Sequence, residues 1–139
     1  MGADMTPAEE LYLVQILNQA RDHDFAWGRN DCNTLGLTWV DFLCGTNYLS
    51  TTRGSYCDAR GAIKYAKTMP RWCQGLAELG WVELEYSEIR QGDLAVVEDD
   101  AFDRVHIITG RHVVSLHEGE GFVRYPIEQF SHARFWSFF

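Results

Sequence analysis

Phe25-Ala26-Trp27-Gly28-Arg29-Asn30-Asp31-Cys32, followed by Asn33-Thr34-Leu35-Gly36-Leu37-Thr38-Trp39-Val40-Asp41-Phe42-Leu43-Cys44-Gly45, decides how this chain is read. The first eight residues are rich in turn formers and lead into a helix that Asn30 or Asp31 can cap. Leu35, Leu37, Trp39, Val40, Phe42 and Leu43 then point in nearly every direction around that helix, the pattern of a buried one. Gly45 suits the position just past its end. Cys32 falls on the first turn. There the unpaired amide groups and the helix dipole favour a thiolate and can stabilise an oxyanion during acyl transfer.

On the N-terminal side, Thr6-Pro7-Ala8-Glu9 opens an earlier helix. Thr6 caps, Pro7 takes the first helical position, and Glu9 completes a capping box. Leu11, Val14, Leu17 and Ala20 recur at helical spacing and predict its buried stripe. On the C-terminal side, residues 47–58 read as polar and irregular. Residues 58–67 and 71–79 read as short helices, with Pro70 between them.

From Trp81 the period changes. Residues 81–84, 94–97, 105–109, 113–116 and 122–125 are short and rich in β-branched and aromatic residues, with turns at Gly92-Asp93, Gly110-Arg111 and residues 118–121. The tail 135–139 reads as a last strand. Helices first and strands second predict one α+β domain over 1–139 with a mainly antiparallel sheet of five to six strands. Its parts are an N-terminal helix (1–24), a helical half with Cys32 (25–80) and a sheet half (81–139).

The 139 residues suit a single core, and 46% hydrophobic with 14% aromatic residues argues against disorder. Twelve basic against 20 acidic residues, net −8, repel phosphate backbones and argue against nucleic-acid binding. No apolar run spans a bilayer, and no signal peptide is visible. Met1-Gly2-Ala3-Asp4-Met5-Thr6 formally fits the myristoylation pattern, a short motif that arises by chance. Cys32, Cys44, Cys57 and Cys73 lack Cys-x-x-Cys spacing, so no zinc site and no other cofactor is expected, and reduced thiols are the default.

A cysteine nucleophile needs a base brought near by the fold. His106 lies in an otherwise apolar strand and is the first candidate. Ser115 and His117 share one face of the next strand and are candidates to orient the imidazole. His112 falls at a turn.

The set Trp27-Gly28-x-x-Asp31-Cys32, Arg53-Gly54-x-Tyr56 with Gly61-Ala62, Gly92-Asp93-Leu94 and a strand ending in Gly110 resembles the NlpC-type papain-like proteins over residues 25 to 139. It most resembles the compact versions of tailed phages and prophages that accompany tail tip genes. The resemblance implies a papain-like fold, with Cys32 as nucleophile against peptide bonds of peptidoglycan stem peptides. Asp31 and Cys32 would form the oxyanion-binding helix start. A histidine on a following strand would be the base, and a polar residue on the next strand would orient it.

The resemblance leaves two positions open for that base. With Gly110 as the strand-ending glycine of the family pattern, the base position falls on Arg104, and arginine cannot act as a general base near neutral pH. With His106 as the base, the strand is two residues shorter. The two side chains face the same side, about 6–7 Å apart along the strand.

The resemblance thus implies one of two roles. The first is a tail-tip cysteine hydrolase acting in tail assembly or genome delivery. The second is a catalytically inactive tail-tip component of the same fold, residing in the virion tail and binding other tail-tip proteins. Four rings in residues 135–139 mark Trp136, Phe138 and Phe139 as interface candidates. A core position suits Trp136 better, and an interface suits Phe138 and Phe139 better.

Overall fold

A computed structural model describes residues 4–139. Met1, Gly2 and Ala3, which open the acylation pattern, lie outside the described residues. Five α-helices precede a sheet of six strands: α1 (Pro7–Asp22), α2 (Cys32–Cys44), α3 (Tyr48–Thr52), α4 (Ala59–Ala66), α5 (Trp72–Glu78), β1 (Val82–Leu84), β2 (Leu94–Val97), β3 (Arg104–Thr109), β4 (His112–His117), β5 (Gly121–Pro126) and β6 (Arg134–Ser137). The molecule is α+β, and every strand pairing is antiparallel, in the spatial order β1-β6-β2-β3-β4-β5. The tail strand is therefore interior, between β1 and β2.

Local chemistry sets the helix ends. Thr6 and Glu9 form the capping box of α1, with each side chain bonded to the other residue's amide. Asp31 caps α2, and Gly45 ends it at φ +69°, a left-handed conformation natural to glycine. The buried stripe of α1 is Leu13, Ile16 and Ala20, whereas Leu11 is 60% and Val14 50% exposed. Two apolar stripes run along this helix, and the packing selects the one beside the expected stripe. The helix α3 lies where the sequence reads as irregular. Asp41 of α2 holds its start, accepting from the Tyr48 and Leu49 amides at 3.0 and 2.8 Å.

The helices cover one face of the sheet. Cys32, Leu35, Trp39 and Val40 of α2 pack there with Val105 and Ile107 of β3 and Val114 and Leu116 of β4. A smaller cluster of Ala95, Ile108, Val113, Ile127 and Phe135 fills the other face. The burial of α2 is not uniform. Its N-terminal half is enclosed, while Phe42 is 40% exposed and stacks on Tyr12 with ring centroids 3.9 Å apart. The contact of α2 with the sheet is close, because a Cβ on Gly36 would stand 2.7 Å from Cγ1 of Val105. No helix among the described residues is long and apolar enough to cross a membrane.

Candidate functional site

The start of α2 is fixed from three directions. The Asp31 carboxylate accepts from the Thr34 amide at 2.8 Å, the Gly28 amide at 2.8 Å and the Tyr56 hydroxyl at 2.7 Å. Gly28 adopts φ +75°, and a Cβ there would lie 2.1 Å from the Tyr56 carbonyl oxygen, so only glycine fits. The Gly54 amide donates to the Gly28 carbonyl at 2.9 Å. Gly28, Asp31, Gly54 and Tyr56 thus serve one purpose, which is to hold the first turn of α2 and Cys32 in place.

Cys32 lies on the wall of a cavity of about 730 Å³. Trp27, Tyr56, Trp72, Phe102, Arg104 and His117 also line it. The sulfur residue is only 9% exposed. Burial, reinforced by the Asp31 charge, pushes the Cys32 thiol up to about 12. The Val105 amide and the Arg104 guanidinium pull the other way and are outweighed. At neutral pH Cys32 is a protonated thiol, contrary to the thiolate expected from the helix dipole alone. Desolvation of a buried sulfur outweighs half a unit of dipole charge.

The strand residues divide between the two faces. In β3, Val105 and Ile107 belong to the cluster that holds Cys32. His106 points the other way, 2% exposed and 4.8 Å from the Phe130 ring. Neither of its ring nitrogens has a hydrogen-bond partner. Burial drives its pKa down to about 3, and the neighbouring His117 adds to the effect. Strand alternation places His106 on the face opposite Val105 and Ile107, where its ring meets that of His117 edge to face at 5.5 Å.

Ser115 is likewise fully buried, and its hydroxyl donates to the Val105 carbonyl at 2.9 Å, tying β4 to β3 rather than orienting an imidazole. His112 opens β4 half-buried, with Nδ1 3.1 Å from Arg124.

His117, at the end of β4, does share the cavity with Cys32. Its Nδ1 is 3.7 Å from Glu120, and Nε2 is enclosed without a hydrogen-bond partner. Desolvation lowers its pKa, and the Arg104 charge does the same. Arg104 opens β3, and Gly110 forms the turn immediately after it. Arg104 is exposed at the cavity, within electrostatic reach of both Cys32 and His117.

At the other end of the sequence candidates, Trp136 is 5% exposed in the helix-side core, because β6 lies between β1 and β2. It is not available as an interface residue. Phe138 is 40% exposed, and Phe139 packs partly against the core.

Three residues of the site escaped the sequence reading. Arg71 and Asp103 form a salt bridge, and Asp103 also accepts from the Trp72 amide at 3.0 Å. The Trp72 indole donates to Asn33 at 2.9 Å. The available signal was an acidic residue directly before an apolar strand, which needs a partner once buried. Among the described residues, no three of His, Cys, Asp and Glu gather in a group that could hold a metal ion. All four cysteines are free.

A family model described as a domain of unknown function (DUF6950) matches residues 6–137. The chain belongs to that family. No curated protein and no solved structure matches it. The family boundaries take in every element from the Thr6 cap to the last residue of β6, so the Cys32 cavity and both faces of the sheet lie within it.

Proposed function

We propose that this chain is an NlpC-type, papain-like protein of a phage tail tip whose Cys32 cavity binds a ligand without cleaving it. The observation that carries the reading is Arg104, which lines the Cys32 cavity and acts electrostatically on its thiol. Arg104 opens the strand that ends before Gly110; with Gly110 as the strand-ending glycine of the family pattern this is the base position, and an arginine there takes no proton near neutral pH. Two further features support it. The thiol stays protonated, and His106 lies on the far face of the sheet. The phage tail context rests on the sequence resemblance, and the exposed Phe138 ring suits docking onto other tail-tip proteins.

A second reading, a cysteine hydrolase of peptidoglycan stem peptides, is favoured by one observation: His117 and Cys32 line the same cavity. Catalytic hydrogen bonds can tighten on substrate binding. In that reading His117 replaces His106 as the base.

Incubation with peptidoglycan decides between the two. The binding reading expects no release of peptide fragments by the wild-type chain. It also expects that Arg104→His, by exchanging a guanidinium that favours the thiolate for an imidazole that is uncharged at alkaline pH, raises the pH at which iodoacetamide modifies Cys32. Cleavage by the wild type that disappears in Cys32→Ala establishes the hydrolase and sinks the binding reading.

A further inference from the structure

We propose that Arg104 anchors a carboxylate, and that the Cys32 cavity takes a peptide by its free C-terminal carboxylate with an apolar last side chain. The inference rests on the binding reading above and names the ligand class of that site.

Two cations on the cavity wall, Lys67 and Arg104, have no ion pair among the described residues, and of the two Arg104 acts on Cys32. Apart from the exposed Asp100, the acidic side chains of the wall already have donors, with Glu78 accepting from Gln74 at 3.4 Å. Asp31 is satisfied by two amides and the Tyr56 hydroxyl. Asp103 is paired with Arg71. Glu118 accepts from the Trp27 indole at 2.8 Å, and Glu120 from the Tyr125 hydroxyl at 2.8 Å. Among the described residues Arg104 has no carboxylate partner, although it shares the cavity wall with Cys32 and acts electrostatically on its thiol. A guanidinium binds a carboxylate through two parallel hydrogen bonds, a geometry no point charge reproduces.

The rest of the wall defines what the carboxylate is attached to. The indole N–H groups of Trp27 and Trp72 are engaged by Glu118 and Asn33, so both side chains offer ring surface to the cavity. Phe102 meets Trp27 edge to face at 6.2 Å. An apolar side chain next to the carboxylate matches these rings, and the cavity volume accommodates a few residues. The protonated thiol is then a neutral neighbour of the carboxylate, and it adds no repulsion to the bound anion.

The test uses N-acetyl-Ala-Leu as the free acid and as its C-terminal amide, titrated into the full chain by calorimetry. The acid is expected to bind about tenfold more tightly than the amide, the preference of a charge-assisted bidentate contact over a neutral one. Arg104→Gln is expected to abolish the preference and Arg104→Lys to keep part of it, with both variants showing the wild-type thermal transition. Equal binding of acid and amide, binding of neither, or an unchanged preference in folded Arg104→Gln each overturns the inference. Peptidoglycan cleavage is a separate readout, so failure of the carboxylate anchor and failure of the non-cleaving reading are told apart.

Discussion

At the scale of single residues, the chemistry of Cys32 is a contest between two neighbours of opposite sign. Asp31 raises the thiol pKa and Arg104 lowers it, with burial the larger effect. Asp31 is also the helix cap, and asparagine caps as well as aspartate. Asp31→Asn therefore removes the charge and keeps the Thr34 cap, while losing the acceptor for the Gly28 amide. The expected outcome is a lower Cys32 pKa and faster alkylation at a fixed pH of 9, followed by mass spectrometry of the Cys32 peptide so that exposed Cys57 does not obscure it. A slower reaction in the variant refutes the electrostatic account. The position of Cys32 on the first helical turn was readable because its determinants are local: a cap one residue before it and a turn of small and polar residues before that. The face of His106 was not readable. Both faces of β3 are covered by apolar side chains, so alternation says which residues share a side without saying which side meets α2.

At the scale of elements, the decisive contact is α2 against β3. Gly36 allows it, with Val105 and Trp72 filling the place of its missing side chain. Gly36→Ala gains helix propensity of up to about 1 kcal/mol and forces a methyl group into a filled space at a cost of about 1–3 kcal/mol. With the full propensity gain, the net expectation is a loss of about 0–2 kcal/mol in urea unfolding, together with a displaced Cys32. A variant more stable than the wild type would show that the helix rides over the strand without strain. The same scale explains the mixed success of the sequence reading. The ends of α1 and α2 follow from caps within three residues of the boundary. The five residues of α3 carry no apolar period, and the carboxylate that starts them belongs to another helix. The buried stripe of α1 was likewise undecidable from spacing, since Leu11/Val14 and Leu13/Ile16/Ala20 both satisfy a helical period.

At the scale of the whole molecule, the buried imidazole of His106 makes the fold sensitive to acid. Its folded pKa of about 3 lies below the ordinary 6.5, so between those values the unfolded chain holds a proton that the folded chain does not. Its contribution is complete above pH 6.5 and is lost as pH falls towards 3. The full effect is at most about 5 kcal/mol, and about 2 kcal/mol of it falls between pH 6.5 and 5. His117, also shifted down, acts in the same sense, and Arg104 opposes protonation of both. Replacing His106 by Leu is expected to flatten the fall in urea stability between pH 7 and 5. An unchanged slope would show that other groups govern acid unfolding.

The strand order has a consequence for synthesis. β1 pairs only with β6, and β6 also closes onto β2, so the first strand made must wait for the last one. A nascent chain still lacking residues 134–137 has the helices, β2 to β5 and the Cys32 wall, but β1 has no neighbour and Leu94, Ala95 and Val96 face an open edge. Emergence of β6, rather than of the cysteine helix, is the moment at which this sheet can be completed.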